Sequence, residues 1–154
     1  MAGPDRAAPP FIAAIPLALI EAPLDYILAD NIRQRGVCSA LRKMAGSGQI
    51  QRAIAGSVIT YLERDMPLHH RDEDEDLFPA VRKRALPEDD LDAALTSLSD
   101  DHRQAEGLAG SIVAALAAQP ADKAIRLTKG TRETMLAYAA SEHRHLAIEN
   151  SIIL

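Results

Sequence analysis

Apolar residues recur three and four apart along nearly the whole chain. They do so in Leu24–Ile27–Leu28–Cys38–Leu41, Ile54–Val58–Tyr61–Leu62, Leu95–Leu98–Ala109–Ile112–Val113–Leu116 and Leu127–Met135–Tyr138. That is the rhythm of an amphipathic helix, and nothing in the chain shows the two-residue alternation of a half-buried strand. Breakers cut the pattern into four long helices. Pro23 suits the first turn of the first, which ends at Gly46-Ser47-Gly48. The second runs to about Ala85, and Pro67 inside it predicts a kink because proline offers no N–H. Leu86–Asp90 turns the chain into the third, Gln119-Pro120 ends it, and Asp122 is positioned to cap the fourth. Short connections make neighbouring helices antiparallel, so the expected fold is all-α, an up-down-up-down four-helix bundle over 16–154. Residues 1–15, opening with MAGPDRAAPP, are expected to be a disordered tail.

Composition removes several function classes. The 17 Lys and Arg against 22 Asp and Glu leave a formal charge of −5, which disfavours nucleic-acid or anionic-membrane partners. Aromatics are only 3% with no Trp, so stacking on single-stranded nucleic acid is not expected either. Cys38 is the lone cysteine, which excludes an internal disulfide and any paired-cysteine metal or redox motif. FIAAIPLALI has the length of a signal-peptide core, but Asp5 offsets Arg6 ahead of it and Pro16 interrupts it; a cytoplasmic protein is expected. No G-x-S-x-G, Gly-rich phosphate loop or HExxH is present.

Three of the five histidines have a glutamate four residues on: His69/Glu73, His102/Glu106 and His145/Glu149. Helical residues four apart share a face about 6 Å apart, and each pair continues the apolar stripe of its helix. All six side chains are therefore expected to point into the core. Burying carboxylates and imidazoles without partners costs several kcal/mol for each charge. One or two dications remove that cost, since carboxylate oxygens and neutral imidazole nitrogens are natural ligands. The His69/Glu73 and His102/Glu106 pairs both lie about 25 Å from the intervening turn, so they meet at one level. For helices one and four to join them, the chain needs non-helical slack near Gly46–Arg52 and Pro120–Gly130.

The stretches DYILADNIRQRGVC, LHHRDEDEDLFP, DDHRQAE and HRHLAIENSIIL resemble the hemerythrin-like, or HHE cation-binding, family, from about Pro16 to the C-terminus. The resemblance implies a di-iron centre in the bundle core. His69 and Glu73 match the second-helix pair of that family, His102 the third-helix histidine, and His145 with Glu149 the fourth-helix pair. Two positions depart from the pattern. Asn31 stands where the first helix normally supplies a histidine, and Glu106 stands where the oxygen carriers have a second third-helix histidine.

The resemblance thus implies iron, two ions with a bridging oxygen, in a carboxylate-rich setting. Such a centre binds or reacts with dioxygen, peroxide or nitric oxide as a sensor, scavenger or iron handler. The alternative is a single-ion or structural-metal bundle, holding zinc, manganese or iron, whose role is interaction with a partner. Asn31 offers a weak amide oxygen, an open position or a hydrogen bond to a ligand. Asp65 and Glu142 are candidates to orient ligand imidazoles. Tyr138 is either a phenol near the site or a core tyrosine, and Cys38 reads as a small buried apolar residue. His70 and His143 lie off the inward stripe and are expected at the surface.

Overall fold

Proline in a first turn is already set for a helix, and in the computed structural model helix α1 (Pro23–Ser47) begins on Pro23. The structure describes residues 15–120 and 124–154. Helix α1 ends on Gly48, whose left-handed backbone (φ 67°) returns its N–H to the Met44 carbonyl. A Cβ there would be strained by that φ and would also meet the Arg132 guanidinium at 3.5 Å.

The second rod of the bundle is built from α2 (Arg52–Thr60), α3 (Met66–Asp72) and α4 (Phe78–Arg84). Two π turns, Tyr61–Asp65 and Glu73–Leu77, join them with right-handed helical backbone at each junction. Prolines explain both. Pro67 and Pro79 each follow a π turn by one residue, and the widened turn closes on the N–H just before the ring, Met66 to Tyr61 and Phe78 to Glu73. The break expected at Pro67 is thus a π turn, and Pro79 adds a second that was not anticipated.

Helix α5 (Leu91–Ala117) and helix α6 (Lys129–Ile152) complete four antiparallel rods. Helix α6 packs on both α1 and α5, and α5 packs on the α2–α4 rod. The slack that the depth argument requires is present: residues 49–51 and 124–128 are not helical. There the chain forms a two-residue antiparallel ladder, β1 (Gln49–Ile50) with β2 (Ile125–Arg126), too short to leave a periodic signal. Asp122 and residues 1–14 lie outside the described residues; the α6 cap is Thr128, whose hydroxyl accepts from the Thr131 N–H at 3.2 Å. No described helix is long and apolar enough to cross a membrane.

The apolar interior comes in two pieces. A large cluster includes Leu41, Val58, Ile112, Met135 and Tyr138, and a smaller one holds Phe78, Leu95 and Leu98. Each fully buried side chain of this size contributes about 1.5–3 kcal/mol. Between the clusters, at the level of His69, His102 and His145, the core turns polar.

Candidate metal centre

Five of the six paired residues are buried in that layer: His69, Glu73, His102, His145 and Glu149, with Asn31 beside them. They come from all four rods, and Glu73 is the hub. Its Oε1 lies 2.7 Å from His69 Nε2, while its Oε2 lies 3.0 Å from His102 Nε2 and 4.0 Å from His145 Nε2. Glu149 Oε2 is 3.7 Å from His145 Nε2, and Glu149 Oε1 accepts from Asn31 Nδ2 at 3.4 Å. Donor atoms of Glu73, His102 and His145 all fall within 4.8 Å of one another. Despite this proximity, both Glu73 oxygens, Glu149 Oε2 and the Nε2 atoms of His69 and His102 make no aligned hydrogen bond. Lone pairs that converge without hydrogen bonds fit a cation.

The other nitrogen of each imidazole faces a carboxylate from outside, hydrogen-bonded for His102 but without an aligned hydrogen bond for His145. Asp30 Oδ2 lies 2.6 Å from His69 Nδ1, Asp74 Oδ2 3.0 Å from His102 Nδ1, and Asp101 Oδ2 3.5 Å from His145 Nδ1. Asp74 is itself fixed by the Ser99 hydroxyl at 2.6 Å. A carboxylate behind the imidazole sets its tautomer and makes Nε2 a better ligand.

Protonation follows from the same contacts. Burial drives the His69 pKa down, but Asp30 and Glu73 outweigh it and hold it well above the ordinary value. His102 is likewise raised against its burial by Glu73 and Asp74, whereas burial and His102 lower His145. Burial opposes ionisation of Glu73, yet His102 and His69 keep its pKa below the carboxylate range. Glu149 is pushed up to about 8 by burial and by the facing Glu73 carboxylate. These groups trade protons for one another's charge, and a cation serves the same purpose.

Several expectations are corrected. Glu106 does not point into the core: its side chain is 47% exposed, because the buried stripe of α5 steps from His102 to Ala105 and Ala109. Its carboxylate instead accepts from His70 Nδ1 at 3.3 Å. His70 is not a surface residue; it is 2% exposed and its ring stacks on His102 with centroids 4.1 Å apart. Asp65 lies 2.5 Å from Arg33, not on a ligand imidazole; Asp30 has that place. Tyr138 belongs to the core, donating its hydroxyl to Met66 Sδ at 3.1 Å. Glu142 is buried, but neither of its oxygens has a hydrogen-bond partner among the described residues. Cys38 is buried as expected and His143 is exposed.

Sequence reasoning missed Asp30, Asp74, Asp101 and His70. The signal available was adjacency, since each aspartate neighbours Asn31, Glu73 or His102 in the chain. Neither the comparison with curated proteins nor that with solved structures gave a match. The family description "Hemerythrin HHE cation binding domain" matches residues 22–154. That span takes in all four rods and every residue of the polar layer, and the chain belongs to the hemerythrin HHE cation-binding family.

Proposed function

We propose that the centre holds two iron ions and that the protein binds or reacts with dioxygen, peroxide or nitric oxide, as a sensor, scavenger or iron handler. The observation that carries this reading is the division of labour within Glu73, whose two oxygens face different imidazoles, His69 on one side and His102 with His145 on the other. A carboxylate so placed is suited to bridge two cations. Glu149 repeats the pattern between His145 and Asn31. Iron held by three imidazoles and two carboxylates would supply one-electron redox steps and open coordination positions.

The two halves are unequal. The first helix gives no histidine: its Asn31 spends an N–H on Glu149, and Asn31 Oδ1 has no hydrogen-bond partner among the described residues. A pocket of about 70 Å³ lies behind His69, on its Asp30 face and not on its Glu73 face, lined by Tyr26, Asp30, Arg33, Asp65 and His69 among others. The role of the chain's own residues is then to hold the imidazoles through Asp30, Asp74 and Asp101 and to keep bulk water out with the two apolar clusters.

A second reading has its own support: Glu73, His102 and His145 form a compact trio suited to one ion, and the Asn31 side is poor in donors. The protein would then be a single-ion bundle acting as an interaction module. Anaerobic loading with iron(II), metal analysis and an optical spectrum on admitting air separate the two. Two irons per chain with a ferric charge-transfer band support the di-iron reading; one ion, or no redox response, overturns it.

A further inference from the structure

Helix α1 carries apolar side chains on two faces. Its core face runs through Val37, Cys38 and Leu41, all buried. Leu24, Leu28 and Ile32, each four residues on from the last, form a second stripe on the outer surface, where Leu28 is 42% and Ile32 69% exposed. Leu17 and Ile20, in the 3-10 turn Leu17–Glu21 that leads into α1, extend the stripe and are exposed as well. Five of the ten large apolar side chains left exposed among the described residues lie in this one stretch. A single exposed leucine needs no explanation, but a contiguous stripe marks a contact surface. The charges beside it are ordered along the chain. The exposed acids, Glu21 and Asp25, come before Leu28, and the exposed bases, Arg35, Arg42 and Lys43, come after it. Glu21, Asp25 and Arg35 form no ion pair among the described residues.

We infer that this stripe binds a second copy of the chain, α1 against α1 in antiparallel order, about a two-fold axis that passes at Leu28. Two-fold pairing sets each residue against the one equally far beyond the axis in the other copy. Leu28 then meets the partner's Leu28, Leu24 the partner's Ile32, and Glu21 the partner's Arg35. Seven residues span two turns, so Arg35 stands on the same side of α1 as Leu28, and Asp25 shares in facing the opposite bases. A parallel pairing would set acids against acids, and an uncharged apolar partner would leave the order of charges without a use. The helix dipole favours the same order, but it gives no reason for leucine and isoleucine on a solvent face. The inference is independent of the metal-binding reading, because the stripe lies on the face of α1 turned away from the polar layer.

Sedimentation equilibrium of the full chain tests this. One helix pair is a small interface, so dissociation in the micromolar range is expected, and at about 100 µM the chain should sediment with twice the mass of one copy. I32E changes an exposed side chain and should weaken the dimer at least about tenfold with an unchanged circular dichroism spectrum. R35E and the pair E21R/D25R should each weaken it; combined in one chain they exchange the two charges and should restore it. A short bismaleimide should link L28C chains to one another, since that position lies on the axis, and L17C chains far less. A dimer that survives I32E and ignores the charge exchange overturns the inference, as does a chain that stays monomeric at that concentration. In the monomeric case, slow maleimide labelling of L28C would assign the stripe to residues of its own chain, and fast labelling would leave it bare.

Discussion

A buried carboxylate with no neutralising partner should declare itself in the pH dependence of stability, and Glu142 is such a residue. Burial pushes its pKa up to about 7, against an ordinary 4.5. The folded state therefore holds a proton that the unfolded state releases; its contribution is complete below the ordinary value and lost as pH rises through about 7. E142Q should leave the cation-free protein nearly unchanged at pH 5 and stabilise it at pH 8, on the order of 1–3 kcal/mol. Urea unfolding at both pH values with a chelator present measures this, and equal effects at the two would refute it. At this scale the sequence was legible where one helix face decides the outcome. His69, Glu73, His102, His145 and Glu149 all continue apolar stripes, and all are buried. The orienting aspartates were not legible, because Asp30 reaches His69 only across the gap between two rods, which no spacing within one helix encodes.

Elements tell a similar story. The four helices and their ends follow from periodicity and breakers, but the two π turns do not. Each widened turn fits an extra residue into the rod and shifts the inward face relative to a regular helix. This is why counting along the stripe left His70 outside while the structure buries both His69 and His70. Glu73 opens the second π turn, so the hub of the centre depends on that irregularity. Removing the exposed Asp76 should close the turn to a regular one. Tyr61, Leu62 and Met66 on one side and Phe78 on the other are anchored in separate apolar clusters. The intervening residues must then absorb the change and re-aim Glu73. The expected result is a helical, cooperatively melting protein whose iron(II) affinity is at least about tenfold weaker. Retained affinity would show that the π turn does not aim the hub.

For the whole molecule, binding and folding are linked. A cation that binds only the folded bundle at a hundred times its dissociation constant adds about 2.7 kcal/mol of stability. Cys38 offers a way to read this. It is buried in α1, and burial with the nearby Glu142 carboxylate raises its thiol pKa to about 12, so it should react only when the bundle opens. Alkylation of Cys38 under native conditions should therefore slow about a hundredfold at that cation concentration, followed by mass spectrometry. An unchanged rate would mean that the cation does not bind the folded state preferentially.

The short ladder between Gln49–Ile50 and Ile125–Arg126 also has a mechanical consequence. With the Leu127 N–H on the Gly48 carbonyl and Arg132 on the Ala45 carbonyl, it laces one end of the bundle shut. Strain that parts the rods is thus directed to the opposite end, where Phe78, Leu95 and Leu98 are the main apolar cover over the polar layer. The molecule is built like a clothes-peg, sprung at its ladder and opening at its jaws, so that breathing brings solvent to the histidines before it reaches the larger core.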